Sequence, residues 1–411
     1  MDATIIEPAE ISLRAVTAIE PILRIAAGRL PMMAFVDPDT ARLLQDGSVL
    51  PGRNEVLRGG IAKAIEYLSE QRSPHLLIVD ISGAELPLSQ IHMLADVCEP
   101  GTKVIAIGDH NDVALYRDLQ AAGITDYLVK PLTRELISKA LAPKANGSGE
   151  LARGPTTLKL GKIVAIIGSR GGVGTTTLAA NLAWYLANCQ SRRVALVDLD
   201  LQHGDCSLLF NAETTPGLRD ALANPLRLDP LLLERIMTQH GERLFVLGGE
   251  EPLQEHVQFT PAAVDTLFSV LRSQFHYVIV DVPRIPVPTY RRAFEIADRR
   301  VIVVDQTMRS MRDAVRLKKA FGDTSGAEQA IFVLNRESEA GNHGLSQKEI
   351  IGVLQAKPTS TIPFLPKLVT PAAHHATVAA RQRKFGNAIA ALALEISGRT
   401  RRGRWFSRRA M

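Results

Sequence analysis

The chain has 411 residues, 46% hydrophobic and 22% charged, with a formal net charge of only +5. That length suits two or three domains, each with a core of its own, and the composition is that of an ordinary globular protein. The three cysteines, Cys98, Cys189 and Cys206, lack disulfide or metal-ligand spacing, which fits a reducing compartment.

Residues 1–29 begin "MDATIIEPAEISLRAV", an acidic and helical-looking extension without the basic-then-apolar order of a secretory signal. No apolar run approaches the roughly 20 residues of a spanning helix. Residues 30–143 alternate short apolar runs with amphipathic segments. "MMAFVD", "HLLIVD", "KVIAIG" and "DYLV" read as buried strands. "IAKAIEYLSEQ" places Ile61, Ala64, Ile65 and Leu68 on one helical face, and "VALYRDLQAAG" stops at Gly123. This alternation predicts a parallel sheet covered on both faces.

Residues 144–158, inside "APKANGSGELARGPTT", are rich in small and turn-forming residues and read as a linker. Across 159–395 the same grammar returns on a larger scale. "KIVAIIG", "RVALVDLD", "RLFVLGG", "YVIVDVP", "RVIVVDQ" and "AIFVLN" are the strand candidates. The expected fold class is therefore α/β, with two doubly wound parallel-sheet domains. Residues 396–411 form a basic tail with six arginines around Trp405 and Phe406, preceded by a helix with an apolar face, "FGNAIAALALEI". The tail suits an anionic membrane surface, nucleic-acid phosphates, or a solubilising end on a helix packed against the core. The adjacent pair His374 and His375 has no further ligands in sequence and reads as surface or helix-start residues.

"SRGGVGTT" sits between a strand and the helix "TTTLAANLAWYLAN". Ligands of open parallel sheets bind at such strand ends. Gly171, Gly172 and Gly174 let backbone wrap a phosphate chain, and the helix-start amides point at it. Thr176 stands where a hydroxyl ligates Mg²⁺. Downstream, "VALVDLD" ends in Asp198 and Asp200, which could hold metal or orient water. "YVIVDVP" carries Asp281, the pattern of a carboxylate that reaches Mg²⁺ through water. "FVLNR" ends in Asn335 and Arg336, the amide of Asn335 being able to read an adenine edge.

In this order these motifs resemble the deviant P-loop ATPases of the MinD/ParA group, whose loop reads x-K-G-G-x-G-K-[ST]. The resemblance implies an ATP site with Mg²⁺ built from Arg170, Gly171, Gly172, Val173, Gly174, Thr175, Thr176, Thr177, Asn335 and Arg336. It implies Asp200 as the water-positioning aspartate with Asp198 beside it, and Thr176 and Asp281 at the metal. Arg170 replaces the signature lysine that reaches a partner's nucleotide, and a guanidinium can take that role. Thr175 replaces the phosphate lysine and removes a positive charge from the β/γ-phosphates. Nucleotide binding at reduced affinity with slow or absent hydrolysis is expected.

Residues 31–143 resemble a response-regulator receiver domain. Asp37 and Asp39 follow the first strand, Asp80 stands at the phosphoacceptor position, and Lys130 precedes Pro131. Gly108 replaces the switch hydroxyl and Pro38 interrupts the acidic pair, so a degenerate interaction module competes with phosphorylation of Asp80.

The combination resembles the TadZ/CpaE family of Tad (Flp) pilus assembly proteins. It implies a cytoplasmic localisation factor, an ATP-dependent homodimer. Its implied partners are the pilus secretion ATPase and the inner-membrane machinery, at a cell pole or at the membrane periphery; nucleic acid is not expected. The alternative is an active ParA/MinD-type ATPase in DNA partition or division-site placement.

Overall fold

The computed structural model describes residues 29–45, 54–141, 160–254, 259–285, 287–322, 330–338 and 344–398. The expected N-terminal extension, the linker and the basic tail beyond residue 398 lie outside them. The chain divides into two compact units, Met1–Lys159 and Leu160–Met411.

The first unit alternates β1 (Met32–Val36), α1 (Pro38–Gln45), β2 (Asn54–Arg58), α2 (Ile61–Glu70), β3 (Leu76–Asp80), α3 (Pro87–Val97), β4 (Lys103–Gly108), α4 (Val113–Ala121), β5 (Asp126–Val129) and α5 (Arg134–Leu141). The sheet order is β2-β1-β3-β4-β5, and every pairing is parallel. Successive residues of one strand feed opposite cores, as the two-residue repeat of a pleated strand requires. Met33 and Phe35 of β1 join Leu77 and Val79 under α2 and α3, whereas Met32, Ala34 and Val36 join Ile78 and Ile105 under α1 and α5. In α2 the predicted face is realised, with Ile61, Ala64 and Leu68 buried and Ile65 packed against the same cluster. Strand β2, "NEVLR", has no buried residue because it closes one edge of the sheet.

The second unit contains β6 (Lys162–Gly168), α6 (Thr175–Asn188), β7 (Val194–Asp198), α7 (Cys206–Leu209), α8 (Gly217–Ala223), α9 (Pro230–Ile236), β8 (Thr238–His240), β9 (Leu244–Leu247), α10 (Pro261–Gln274) and β10 (Tyr277–Val282). It continues with α11 (Pro288–Glu295), β11 (Arg299–Val304), α12 (Met308–Gly322), β12 (Ile331–Glu337), α13 (Gln347–Leu354), β13 (Ser360–Pro363), α14 (Pro366–His374) and α15 (Arg383–Ser397). Its eight strands run β13-β12-β11-β6-β10-β7-β9-β8, parallel except for β8 against β9. The six expected strands form the interior of the sheet, and β8 and β13 are added at its edges.

Ile163, Ala165 and Ile167 of β6 pack under α10, α11 and α12. Val164 and Ile166 pack under α6 and α15. The apolar face of α15 (Phe385, Ile389, Leu392 and Ile396) is thus spent on the core. Strand β6 lies between β11 and β10, so the sheet changes direction of growth there and leaves a crevice at its carboxyl end. Among the described residues no helix is long and apolar enough to cross a membrane.

Candidate functional site

The loop between β6 and α6 lies in that crevice. Gly174 turns the chain into the helix with φ +97°, a left-handed conformation that favours glycine. A Cβ there would also strike the Asn335 amide nitrogen. No side chain caps α6, so its first amides are oriented as a phosphate site requires. Gly171 and Gly172 are exposed, and Val173 is buried beneath them. The Thr175 hydroxyl turns back into the space that a Cβ on Gly168 would need. It therefore lies against the loop's own backbone and does not supply the reach of a lysine. The carbonyl of Thr177 accepts a bond from Asn181 Nδ2 at 2.8 Å.

Asn335 is brought to this loop from β12, two strands from β6 in the sheet. Its Nδ2 donates to the Val173 carbonyl at 2.8 Å, and its Oδ1 accepts from the Arg336 amide at 3.0 Å. Arg336 is exposed and has φ +58°. The predicted adenine reader thus sits against the phosphate loop, held by two backbone groups.

Asp198 ends β7 and Asp281 is the next-to-last residue of β10, and the two pair in direct register. Asp198 accepts from the Asp200 amide at 3.1 Å and the Cys206 amide at 3.0 Å. Asp281 faces the Cys206 thiol at 3.9 Å, and the nearby Thr176 hydroxyl favours its charged form. Asp198, Cys206 and Asp281 are all buried, with ligating atoms within 4.8 Å of one another. Burial pushes both carboxyls above the ordinary aspartate range; beyond burial, the charge of Asp198 raises Asp281, and Asp200 raises Asp198. Among the described residues no cationic side chain pairs with either. Two buried carboxylates beside a threonine hydroxyl and a phosphate loop are the donor set a divalent cation fits. Thr176 and Asp281 would hold it; the Cys206 thiol, which burial and the neighbouring carboxylates keep protonated, is a weak donor to Asp281 and not a ligand for a hard cation, a neighbour that the spacing of the sequence did not reveal. Asp200 lies farther out. Its Oδ1 accepts from the His203 amide at 3.0 Å, and His203 Nδ1 approaches at 3.7 Å.

Arg170, the expected reach across a dimer, is engaged within its own chain. Its Nε donates to Asp305 Oδ2 at 2.8 Å, Nη2 donates to the same oxygen, and Nη1 donates to the Gly171 carbonyl at 2.9 Å. Asp305 Oδ1 accepts from the Thr307 hydroxyl at 2.7 Å. Burial alone would raise the Asp305 carboxyl, but Arg170 and Thr307 outweigh it and hold it below the usual range. Ser310 ties this cluster to the loop, accepting the Asp305 amide at 2.9 Å and sharing a 2.7 Å bond with Ser169. Asp305 escaped the sequence reading, although "VIVVDQ" ends in an acid as the strands of Asp198 and Asp281 do.

In the first unit, Lys130 Nζ lies 2.7 Å from both Asp37 Oδ2 and Asp80 Oδ2. Asp80 is buried, and its Oδ1 accepts from the Ser82 amide at 2.8 Å. Burial opposes the charged forms, yet the mutual pairing keeps Asp37 well below and Lys130 above their ordinary values. Asp39 does not join them; its side chain is 88% exposed and pairs with Arg42. Proline at 38 starts α1, which turns Asp39 outward. Over Gly108, where the receiver resemblance expects a hydroxyl, the Tyr127 hydroxyl fills the space that a Cβ would take and donates to the His110 carbonyl at 2.9 Å. His374 and His375 are exposed and close α14 at its carboxyl end.

A family model described as an AAA domain matches residues 161–325. The septum site-determining protein MinD of Bacillus subtilis (strain 168) is 26% identical over 179 residues, 43% of this chain and 65% of that protein, so the match spans less than two thirds of it. A ParA family ATPase from Chlorobium tepidum TLS matches 57% of this chain and 98% of its own at 22% identity, with a TM-score of 0.52. A pilus assembly protein CpaE from Caulobacter crescentus CB15 is 36% identical over 27% of this chain and 90% of its own, with a TM-score of 0.26. The second unit has a MinD/ParA-like P-loop ATPase fold.

Proposed function

We propose that this protein is a nucleotide-binding, dimerising localisation factor for assembly of a Tad (Flp) type pilus, as the TadZ/CpaE resemblance suggested. ATP acts in it mainly as a dimerisation switch. The observation that carries the reading is Thr175. Its hydroxyl is folded against Gly168, so the loop keeps its backbone cradle and its metal-side carboxylates but lacks the cation that drives transfer. The receiver-like unit supports the same reading. Lys130 already spans Asp37 and Asp80, and Tyr127 occupies the switch position, which suits a fixed interaction module better than a phosphorylated one.

In this function the amides of 171–176 bind the phosphates, Thr176 and Asp281 hold Mg²⁺, and Asn335 and Arg336 face the base. When bound, Mg²⁺ supplies charge neutralisation between the phosphates and the buried carboxylates. Arg170 serves the dimer after leaving Asp305. The homodimer then presents itself to the secretion ATPase and the inner-membrane machinery.

The test is ATP binding and turnover by the full chain beside Thr175→Lys. A restored charge-assisted bond is worth about 1.5–3 kcal/mol, roughly a 10- to 100-fold gain in affinity. Wild-type protein should bind ATP weakly with Mg²⁺, dimerise on binding and release phosphate very slowly. Rapid Mg²⁺-dependent turnover by the wild type would favour the partition or division-site ATPase instead.

A further inference from the structure

A cavity of 760 Å³ opens between α11, α12 and the segment that follows β10. Its floor reaches the buried sheet residues Ile167 and Val282, and its walls include Leu317 and Phe321. The volume lies in the range of pockets that enclose a single small ligand. The apolar interior ends at a cationic rim. Asp313, the one acid among the lining residues, has a side chain only 3% exposed and receives three guanidiniums. Arg284 Nη2 lies 3.1 Å from its Oδ2, Arg312 Nε 2.9 Å from its Oδ1, and Arg316 Nη1 3.4 Å from its Oδ1. One carboxylate cannot balance three guanidiniums; Arg312 and Arg316 are largely open to solvent and Arg284 is 41% exposed. Arg284 and Arg316 line the cavity itself, so uncompensated positive charge faces its mouth.

We propose that this cavity binds a single-chain anionic amphiphile, a free fatty acid, with the aliphatic chain inside and the carboxylate on Arg284 and Arg316. Charge complementarity selects an anionic head. Depth selects one extracted chain over a bilayer surface, because a chain must leave the lipid phase to touch Ile167 and Val282. None of the phosphate-loop residues nor Asp281 takes part, so the site stands or falls apart from the nucleotide reading.

The experiment is calorimetric titration of the full chain, without nucleotide, with octanoate, decanoate and dodecanoate below their micelle concentrations. Dodecanol and anionic phosphatidylglycerol vesicles are the comparison probes. Each two added methylenes should tighten binding by roughly tenfold. Arg284→Gln with Arg316→Gln should weaken dodecanoate by about tenfold while leaving dodecanol unchanged. Ala320→Phe, an exposed position on the wall, should abolish both by filling the mouth. Affinity independent of chain length, unchanged binding in the arginine variant, or vesicle binding without any dodecanoate binding would each overturn the proposal. Should Ala320→Phe fail to fold, the two exposed arginine positions and the chain-length series still decide it.

Discussion

The Arg170–Asp305 pair should be the strongest single polar link between the phosphate loop and the rest of its unit. Asp305 is only 4% exposed, and two guanidinium nitrogens converge on one of its oxygens. Arg170→Ala leaves that carboxylate buried with only Thr307 as a side-chain donor. Removing one partner of a fully buried pair costs about 3–5 kcal/mol, but the Arg170 side chain is 26% exposed and therefore screened, so about 2 kcal/mol is expected. Asp305→Asn should cost somewhat less, and the double-mutant cycle should give a coupling of about 1–2 kcal/mol.

Trp184 lies in α6 of the second unit, so urea unfolding followed by tryptophan fluorescence reads the right part of the chain. The pH dependence has a fixed sign. Asp305 is held below its ordinary value, so its contribution is present above about pH 4 and is lost as pH falls through the lowered folded value. The penalty of Arg170→Ala should shrink accordingly in acid. If Arg170 must leave Asp305 to reach a partner's nucleotide, Asp305→Asn should also strengthen ATP-dependent dimerisation by about tenfold. A coupling energy indistinguishable from zero, with dimerisation unaltered, would refute the reasoning.

Asp281→Asn should stabilise the nucleotide-free protein by about 1–3 kcal/mol at pH 8 and far less at pH 5. The sign follows from the raised carboxyl: the folded state keeps its proton after the unfolded chain has released it, so this group's stability is lost as pH rises toward neutrality. Tryptophan-monitored unfolding at both pH values checks it, and a penalty at pH 8 would count against an uncompensated carboxylate. In the first unit, Gly108→Thr should cost about 1–3 kcal/mol because its Cβ meets the Tyr127 hydroxyl. Hydrogen exchange across β4 and β5 should then show partial recovery when Tyr127→Phe is added; equal losses in the single and double variants would contradict the packing.

The interior strands of both sheets were legible in the sequence because a strand buried on both faces must be a continuous apolar run, and β3, β4, β6 and β10 are such runs. β5, "DYLV", was legible too although it closes the other edge of the first sheet; the remaining edge strands were not. β2 has no buried residue, β8 is the polar "TQH", and β13 is "STIP" with only Ser360 and Ile362 buried, so none presents a continuous apolar run. Their strand character comes from pairing with a neighbour already in place, which a linear pattern does not encode.

At the site, the sequence by itself determined which groups are present. Glycines gave the loop its turns, Thr175 removed a charge, and aspartates closed the strands that end in the crevice. Tertiary structure decided what each group faces. The register of β7 with β10 set Asp198 against Asp281, and the turn after β7 returned Cys206 to the same spot from eight residues on. It also placed Arg170 on Asp305, 135 residues away, and Tyr127 over Gly108. Spacing along a chain fixes neighbours on one strand or helix. Contacts between strand ends depend on the order in which strands enter the sheet, and only the folded sheet fixes that order.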